Sequence, residues 1–535
     1  EATLRDAERE AVPQIAQVCH TSLGLVASAA GDTVEAERYF GRAVALIEEM
    51  RAPLPAEEFR TGFVADKLRP YTELVRLCVA NGTPGRLAEA LAYAERARSR
   101  ALVEMLAGTI EAYPEPRDAF EAGLFARLNE LRQELNWFYS QINRHSEHGG
   151  VQRDGLAPTA STIGELRSAA HDREAGVQEI IRQLQQRGRR TSAAVEPLDV
   201  AQLQRDIGAG TALVEYFSLD GELLAFVVTD AGIEVVQGFG SEDQVETALR
   251  QLRFQLNALR HGGLHLERHR DQLMHRARHH LSTLYDLLLK PIEAQLDSRR
   301  LVVVPYRALH YVPFHALYDG TSYVIERREV CYAPSATVLR HCLARPDRPL
   351  QRALLLGVPH GQAVRVGDEI RALAPLFPES VALVGEAATL ETLRANAPLV
   401  DVLHLACHGQ FRPDNPLFSS LRLADGWLTV GDAYRLDLDC GLVALSACET
   451  GMSKVAPGDE LIGLARGFFS TGTPSLLVSL WAVDDEATAT LMTHFYTRLR
   501  AGERPAAALR QAQCALLAQE THPYFWSPFV LLGRW

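Results

Sequence analysis

No run of 18 or more apolar residues occurs in the 535-residue sequence, which excludes a membrane-spanning helix of ordinary length. The opening residues, Glu1-Ala-Thr-Leu-Arg-Asp6, lack the basic-then-apolar pattern of a secretory signal. They also lack an initiator methionine, so the chain reads as a fragment or a processed form of something longer. Cysteine is sparse: eight residues, at 19, 78, 331, 342, 407, 440, 448 and 514, with no Cys-x-x-Cys pair. This is no disulfide framework, and a reducing cytoplasm is the expected compartment. An excess of basic residues is missing too. The net charge is −12 and the isoelectric point about 5.9, which argues against a general nucleic-acid or anionic-membrane binder. What the chain does have is 47% apolar residues, enough for the cores of three or four domains.

Residues 1–116 read as helices throughout. The stretch Thr21-Ser-Leu-Gly-Leu-Val-Ala-Ser-Ala-Ala-Gly-Asp32 leads into Val34–Ile47, with Gly31-Asp32 as the turn and small residues where two helices must pack closely. Leu87–Arg98 repeats the character of the second helix. The pattern resembles degenerate tetratricopeptide (TPR) repeats, whose period is about 34 residues. Such pairs offer a concave surface to another protein or to a segment of their own chain. An ordinary helical bundle is the alternative. Residues 117–205 hold two amphipathic segments, Phe120–Asn143 and Ile163–Arg187, separated by a polar stretch. They predict a helical arm, with Arg187-Gly-Arg-Arg190 as a solvated linker.

Near residue 210 the period changes from helical to alternating. Ala212–Phe217 and Leu223–Thr229 flank Asp220-Gly221, a hairpin signal, and Ile233–Val236 adds a third strand. A helical stretch over Glu242–Leu296 follows, then a buried strand at Leu301–Pro305. The histidines of that stretch (His261, His265, His269, His275, His279, His280) include pairs at metal-ligand spacing. Interleaved arginines and the absence of a converging carboxylate or thiol make them a solvated basic face instead. His310 and His315, beside aromatic and proline residues, predict core or interface positions. From about 350 strands and helices alternate: strands at Ala353–Val358, Ser380–Val384, Val400–His408, Leu442–Ala447, Ser475–Trp481 and Phe529–Leu532, with helices such as Leu390–Ala397, Glu460–Ser470 and Asp485–Leu499. This pattern predicts a doubly wound α/β domain.

Two of those strands carry chemistry. Val402-Leu-His-Leu-Ala-Cys-His408-Gly409 ends in a histidine and Leu442-Val-Ala-Leu-Ser-Ala-Cys448 in a cysteine. The 32 residues from Gly409 to Cys440 can hold a crossover helix, so the strands can lie parallel about 4.8 Å apart. Both side chains would then emerge at the carboxyl edge, where open α/β sheets bind ligands. A thiol of pKa near 8.5 is only a few per cent thiolate at neutral pH and needs a base. His408 would take its proton and later protonate a leaving amine. The backbone N–H groups of Gly409 and Cys448 are the candidate oxyanion donors, and Asp414 is the nearest acidic candidate for an orienting group. Read singly, each residue also fits a buried core role. Cys407, His404 and Cys440 permit a zinc reading, but Cys440 and Cys448 fall at opposite ends of one strand, roughly 25 Å apart at about 3.3 Å per residue.

Over residues 210–535 these segments resemble a CHAT domain, the caspase-like cysteine peptidase family related to caspases and separase. The resemblance rests on Val402–Gly409, Asn415-Pro-Leu-Phe, Leu445-Ser-Ala-Cys-Glu-Thr-Gly451, Gly458-Asp-Glu-Leu-Ile-Gly463, Ser479-Leu-Trp-Ala-Val-Asp-Asp485 and His522–Gly533. It implies that His408 is the catalytic base, Cys448 the nucleophile, residues 206–347 a non-catalytic caspase-like half and 348–535 the catalytic half. It also implies a TPR region ending at Glu95-Arg-Ala-Arg-Ser-Arg100. Cys407 stands where such domains often have threonine. By analogy with relatives, Trp481, Asp484 and Asp485 would border the pocket for the residue preceding the cut, the acidic pair receiving a basic side chain or instead capping the next helix. The expected function is a cysteine endopeptidase acting on a protein substrate, gated by a protein partner on the TPR-like region. Neither cofactor nor metal is implied, and a role in bacterial defence or cell death is suggested by the resemblance alone. The rival expectations are a catalytically silent interaction scaffold and a thiol hydrolase or transferase acting on small molecules.

Overall fold

The computed structural model describes residues 1–51, 66–98, 100–106, 116, 118–147, 160–186, 197–260, 270–359, 365–410, 419–446, 454–456, 460–519 and 522–535. Helices Ala2–Arg9, Pro13–Ala29, Thr33–Arg51, Arg69–Asn81 and Pro84–Arg96 stack as antiparallel pairs. Close packing explains the small residues: a Cβ at Gly24 would sit 2.6 Å from Phe40 Cε1. The turn between the second and third helices is made by Gly31 in the left-handed region at φ 80°, which glycine adopts without a Cβ penalty. Helices Ala119–Glu147 and Ala160–Gln186 pack along each other as the expected arm, joined by Arg173 and Glu134 at 2.8 Å. The linker Arg187–Arg190 lies outside the described residues, as do His261, His265 and His269.

Among the described residues, eleven strands form one continuous sheet in the order β3-β2-β1-β4-β5-β16-β15-β12-β8-β6-β7. The first half comprises β1 Thr211–Leu219, β2 Glu222–Val228, β3 Ile233–Ser241, β4 Arg300–Val304 and β5 Glu329–Tyr332. β1, β2 and β3 form an antiparallel meander, and β4 and β5 run parallel to β1. The second half comprises β6 Arg352–Gly357, β7 Glu379–Val384, β8 Val402–Ala406, β12 Leu442–Ser446, β15 Ser475–Ser479 and β16 Phe529–Gly533. Five of these run parallel, while β16 lies antiparallel to β15 and parallel to β5, so the last strand joins the halves. The fold is therefore helical repeats and arm followed by an α/β module with helices packed on a mostly parallel sheet.

Several local expectations change. Within the helical stretch expected over Glu242–Leu296, the described residues form helices Glu242–Arg260 and Arg270–Leu288 and end in a 3-10 segment, Lys290–Gln295. Glu460–Ile462 is not the start of a helix. It forms β14 and pairs with β13, Lys454–Ala456, and the helix begins only at Leu464, where Gly463 at φ 148° redirects the chain. The described part of the crossover from β8 to β12 holds no long helix. It forms a small antiparallel sheet of β9 Gly409–Gln410, β10 Ser420–Arg422 and β11 Trp427–Thr429, then the one-turn helix Val430–Ala433. β5 was not foreseen because Glu329-Val-Cys-Tyr332 is too short to show a period. The core runs without a break from Val75, Leu91 and Ala94 of the helical region through both halves of the sheet.

Candidate active site

β8 and β12 are fully buried, which is why both read as continuous apolar runs. They pair in parallel, Leu442 opposite Val402 through Ser446 opposite Ala406. That register sets Ala406 and Ser446 level with one another. His408 follows two residues after Ala406. Immediately after it, Gly409 enters β9 and pairs with Leu421, and the His408 carbonyl accepts from Arg422 N at 2.8 Å. The His408 ring is half-buried and meets the Trp427 indole edge-on at 6.3 Å between centroids, with the Arg422 guanidinium 5.4 Å from the same indole. Neither Trp427 nor Arg422 was a sequence candidate; an aromatic on a short strand after the histidine gives no distinguishing signal. Cys448 and Asp414 lie outside the described residues.

The expected specificity residues gather at the end of β15. Trp481 is 6% exposed and donates its indole N–H to Tyr524 O at 3.2 Å. Asp484 is the N-cap of helix Asp485–Arg500, accepting from Glu486 N at 3.1 Å and Ala487 N at 3.0 Å. Asp485 accepts from Arg365 N at 3.4 Å, and burial lifts its carboxyl above the usual range. Burial also raises the thiols of Cys331 and Cys342 to about 12 and that of Cys440 to about 11, which makes them inert. Cys440 Sγ stands 3.6 Å from Thr473 Oγ1.

Beneath the strand ends lies a polar group of which the sequence offered only His404, and that as a zinc candidate. Glu369, on helix Val366–Leu373, accepts from Ser446 Oγ at 2.8 Å, and the same oxygen is 3.1 Å from His404 Nε2. His404 Nδ1 in turn lies 3.2 Å from Tyr496 Oη. The only signal for it was the first histidine of His404-Leu-Ala-Cys-His408.

Residues 278–534 match the family model of the CHAT domain. Tetratricopeptide repeat protein 28 of Homo sapiens is 27% identical over 322 residues, covering 47% of this chain and 13% of that protein. The Mus musculus protein of the same name is 24% identical over 615 residues, covering 96% and 24%. The chain thus spans a quarter or less of these relatives. Among solved structures, the Saccharomyces cerevisiae separase–securin complex gives a TM-score of 0.45 at 11% identity, covering 98% of this chain and 47% of that one. The Arg-specific cysteine proteinase gingipain R gives 0.34 at 9% identity, covering 49% and 67%. The family match leaves β1, β2 and β3 outside it, although they belong to the same sheet. Among the described residues, no helix is long and apolar enough to cross a membrane.

Proposed function

We propose, on the premise that residues 278–534 form a CHAT domain, that the chain is a cysteine endopeptidase with Cys448 as nucleophile and His408 as base. One observation carries the reading. β8 and β12 are parallel neighbours with Ala406 opposite Ser446, and His408 and Cys448 each follow two residues after that pair. His408 takes the thiol proton, and the thiolate attacks the scissile carbonyl. The proton then passes to the departing amine, leaving an acyl-thioester that water hydrolyses. A Gly409 donor for the oxyanion is supported by the small sheet: the Arg422 N–H to His408 carbonyl bond makes Gly409 and Leu421 a non-hydrogen-bonded pair, so the Gly409 N–H points away from β10. The second donor is the N–H of Cys448.

Substrate selection falls to Trp481, Asp484 and Asp485. Asp484 already binds two helix N–H groups, which favours Asp485 as the acceptor for a basic side chain. Gating by the helical region is supported by how it is keyed into the module. Glu95 accepts from Ala336 N at 2.9 Å and Thr337 N at 2.8 Å, capping helix Ala336–Leu343, and Arg98 is buried beside Glu215 with its guanidinium on the carbonyl of Tyr216. Helix Arg100–Leu106 then rests against β14, in the segment that follows Cys448. A protein bound to the repeats would therefore act on the nucleophile's own segment. The substrate is a specific protein, and a setting in bacterial defence or cell death completes the proposal.

The test is labelling of the full chain with a thiol-directed electrophile, with sequencing of new protein termini in cells carrying wild type or variants. Cys448→Ala should abolish labelling at that site and all new termini, and His408→Ala should slow labelling by about 10²-fold or more. Unchanged termini with Cys448→Ala would support the scaffold reading instead.

A further inference from the structure

Glu369 is 4% exposed in a region where neighbouring strand positions are Leu, Val and Ala, and His404 and Tyr496 are fully buried around it. A carboxylate in such surroundings is costly, and its replacement by an apolar side chain of similar volume is commonly neutral or stabilising. Stability therefore does not explain it. Its contacts do point to a use. One oxygen, Oε1, accepts from Ser446, the last residue of β12, and stands 3.1 Å from His404 on β8. His404 Nε2 makes no aligned hydrogen bond at this distance, while Nδ1 faces the Tyr496 hydroxyl. Asp485, at the start of helix Asp485–Arg500, feels the cluster: burial first, then the charges of Asp484 and Glu369, raise its carboxyl, against the pull of the Arg365 N–H and guanidinium. A single carboxylate from a helix thus grips both strands that lead to the proposed nucleophile and base.

We propose that Glu369, acting through Ser446 and His404, is the positioning residue of the Cys448–His408 pair. This rests on the peptidase reading above. Ser446 is two residues before Cys448 and His404 four before His408. Ser446 and Ala406 are the last described pair of the β8–β12 ladder, so the side-chain tether holds β12 two residues before Cys448. The buried charge also acts on the titration of the pair, because a nearby anion raises the pKa of thiol and imidazole alike.

The experiment follows the rate of Cys448 alkylation by iodoacetamide against pH in the full chain, read by peptide mapping, alongside Tm. Glu369→Ala removes tether and charge: the plateau rate should fall about 10-fold and the midpoint should move down by about one pH unit. Glu369→Gln keeps an acceptor for Ser446, so it should restore most of the plateau yet retain the downward shift. Ser446→Ala, the mildest change, should lower the plateau without moving the midpoint. Variants that lose Tm but keep the wild-type plateau and midpoint would overturn the inference. A wild-type Cys448 that reacts no faster than an ordinary thiol would instead overturn the peptidase reading on which it rests.

Discussion

Asp484 and Asp485 are adjacent acids with different surroundings. Asp484 has extended backbone at ψ 130° and turns its carboxylate onto two free N–H groups of the helix it starts, so its worth is that of a cap. Asp484→Ala should cost about 1 kcal/mol, a fall in Tm of roughly 2–4 °C in a thermal melt. Asp485 sits one residue further on, with a carboxyl lifted by burial and bonded only weakly to a backbone N–H. If it receives a basic side chain, Asp485→Asn should lower kcat/KM for cleavage after Arg or Lys by 10-fold or more with little change in Tm. The sequence could offer both roles for the pair, since Ser479-Leu-Trp-Ala-Val-Asp-Asp485 shows an acidic start to a helix. Which acid faces the helix ends was a matter of backbone geometry.

Helix Pro84–Arg96 and the residues just after it are the element through which the repeats meet the sheet. Glu95 is 5% exposed and spends both oxygens on the first turn of helix Ala336–Leu343, satisfying N–H groups that have no partner within the helix. Arg98 is 1% exposed, its Nη2 on the Tyr216 carbonyl, next to the fully buried Glu215 of β1. Breaking such a buried pair by removing one partner costs about 3–5 kcal/mol. Arg98→Ala should therefore lower the unfolding midpoint in urea by that equivalent, and limited proteolysis should release the helical region first. Glu95→Gln should have a smaller effect and should change the rate at which a thiol probe reaches Cys448, because helix Arg100–Leu106 follows directly and touches β14. The run Glu95-Arg-Ala-Arg-Ser-Arg100 reads in sequence as the end of a repeat. Its charged residues look like a solvated face, and only the docked module turns two of them inward.

At the scale of the molecule, β16 makes the two halves one body. The chain's last strand crosses back to pair with β15 on one side and β5 on the other, and His315 reinforces the seam with Nε2 at 2.9 Å from Ser527 O. His315 is 2% exposed, and burial pushes its imidazole down to about 4, against a weaker upward pull from the Ser527 contact. Between pH 6.5 and 4 the unfolded chain therefore binds a proton that the folded chain does not, so stability falls as pH drops through that window and is retained above it. His315→Gln should remove this part of the slope in Tm against pH, while the wild type keeps it. Because the core crosses the seam, far-UV and near-UV circular dichroism of both halves should report one transition.

The sequence by itself determined the helices of the first hundred residues, the strands near the site and the two strand-end motifs from which the Cys448–His408 pair is proposed. Periodicity, apolar runs and the two strand-end motifs are local signals, and β8 and β12 lie as neighbours, as those motifs required. It also located the change from helical to alternating pattern near residue 210. Tertiary structure alone decided the rest. The direction of β16 depends on β5, distant in the chain, while the three-stranded insert after His408 and the paired strands β13 and β14 are local but too short to carry a period of their own. Glu369, His404, Ser446 and Tyr496 come from four separate elements. Each reads singly as a core or surface residue, and only the packing of two helices on adjacent strands brings them within hydrogen-bonding distance.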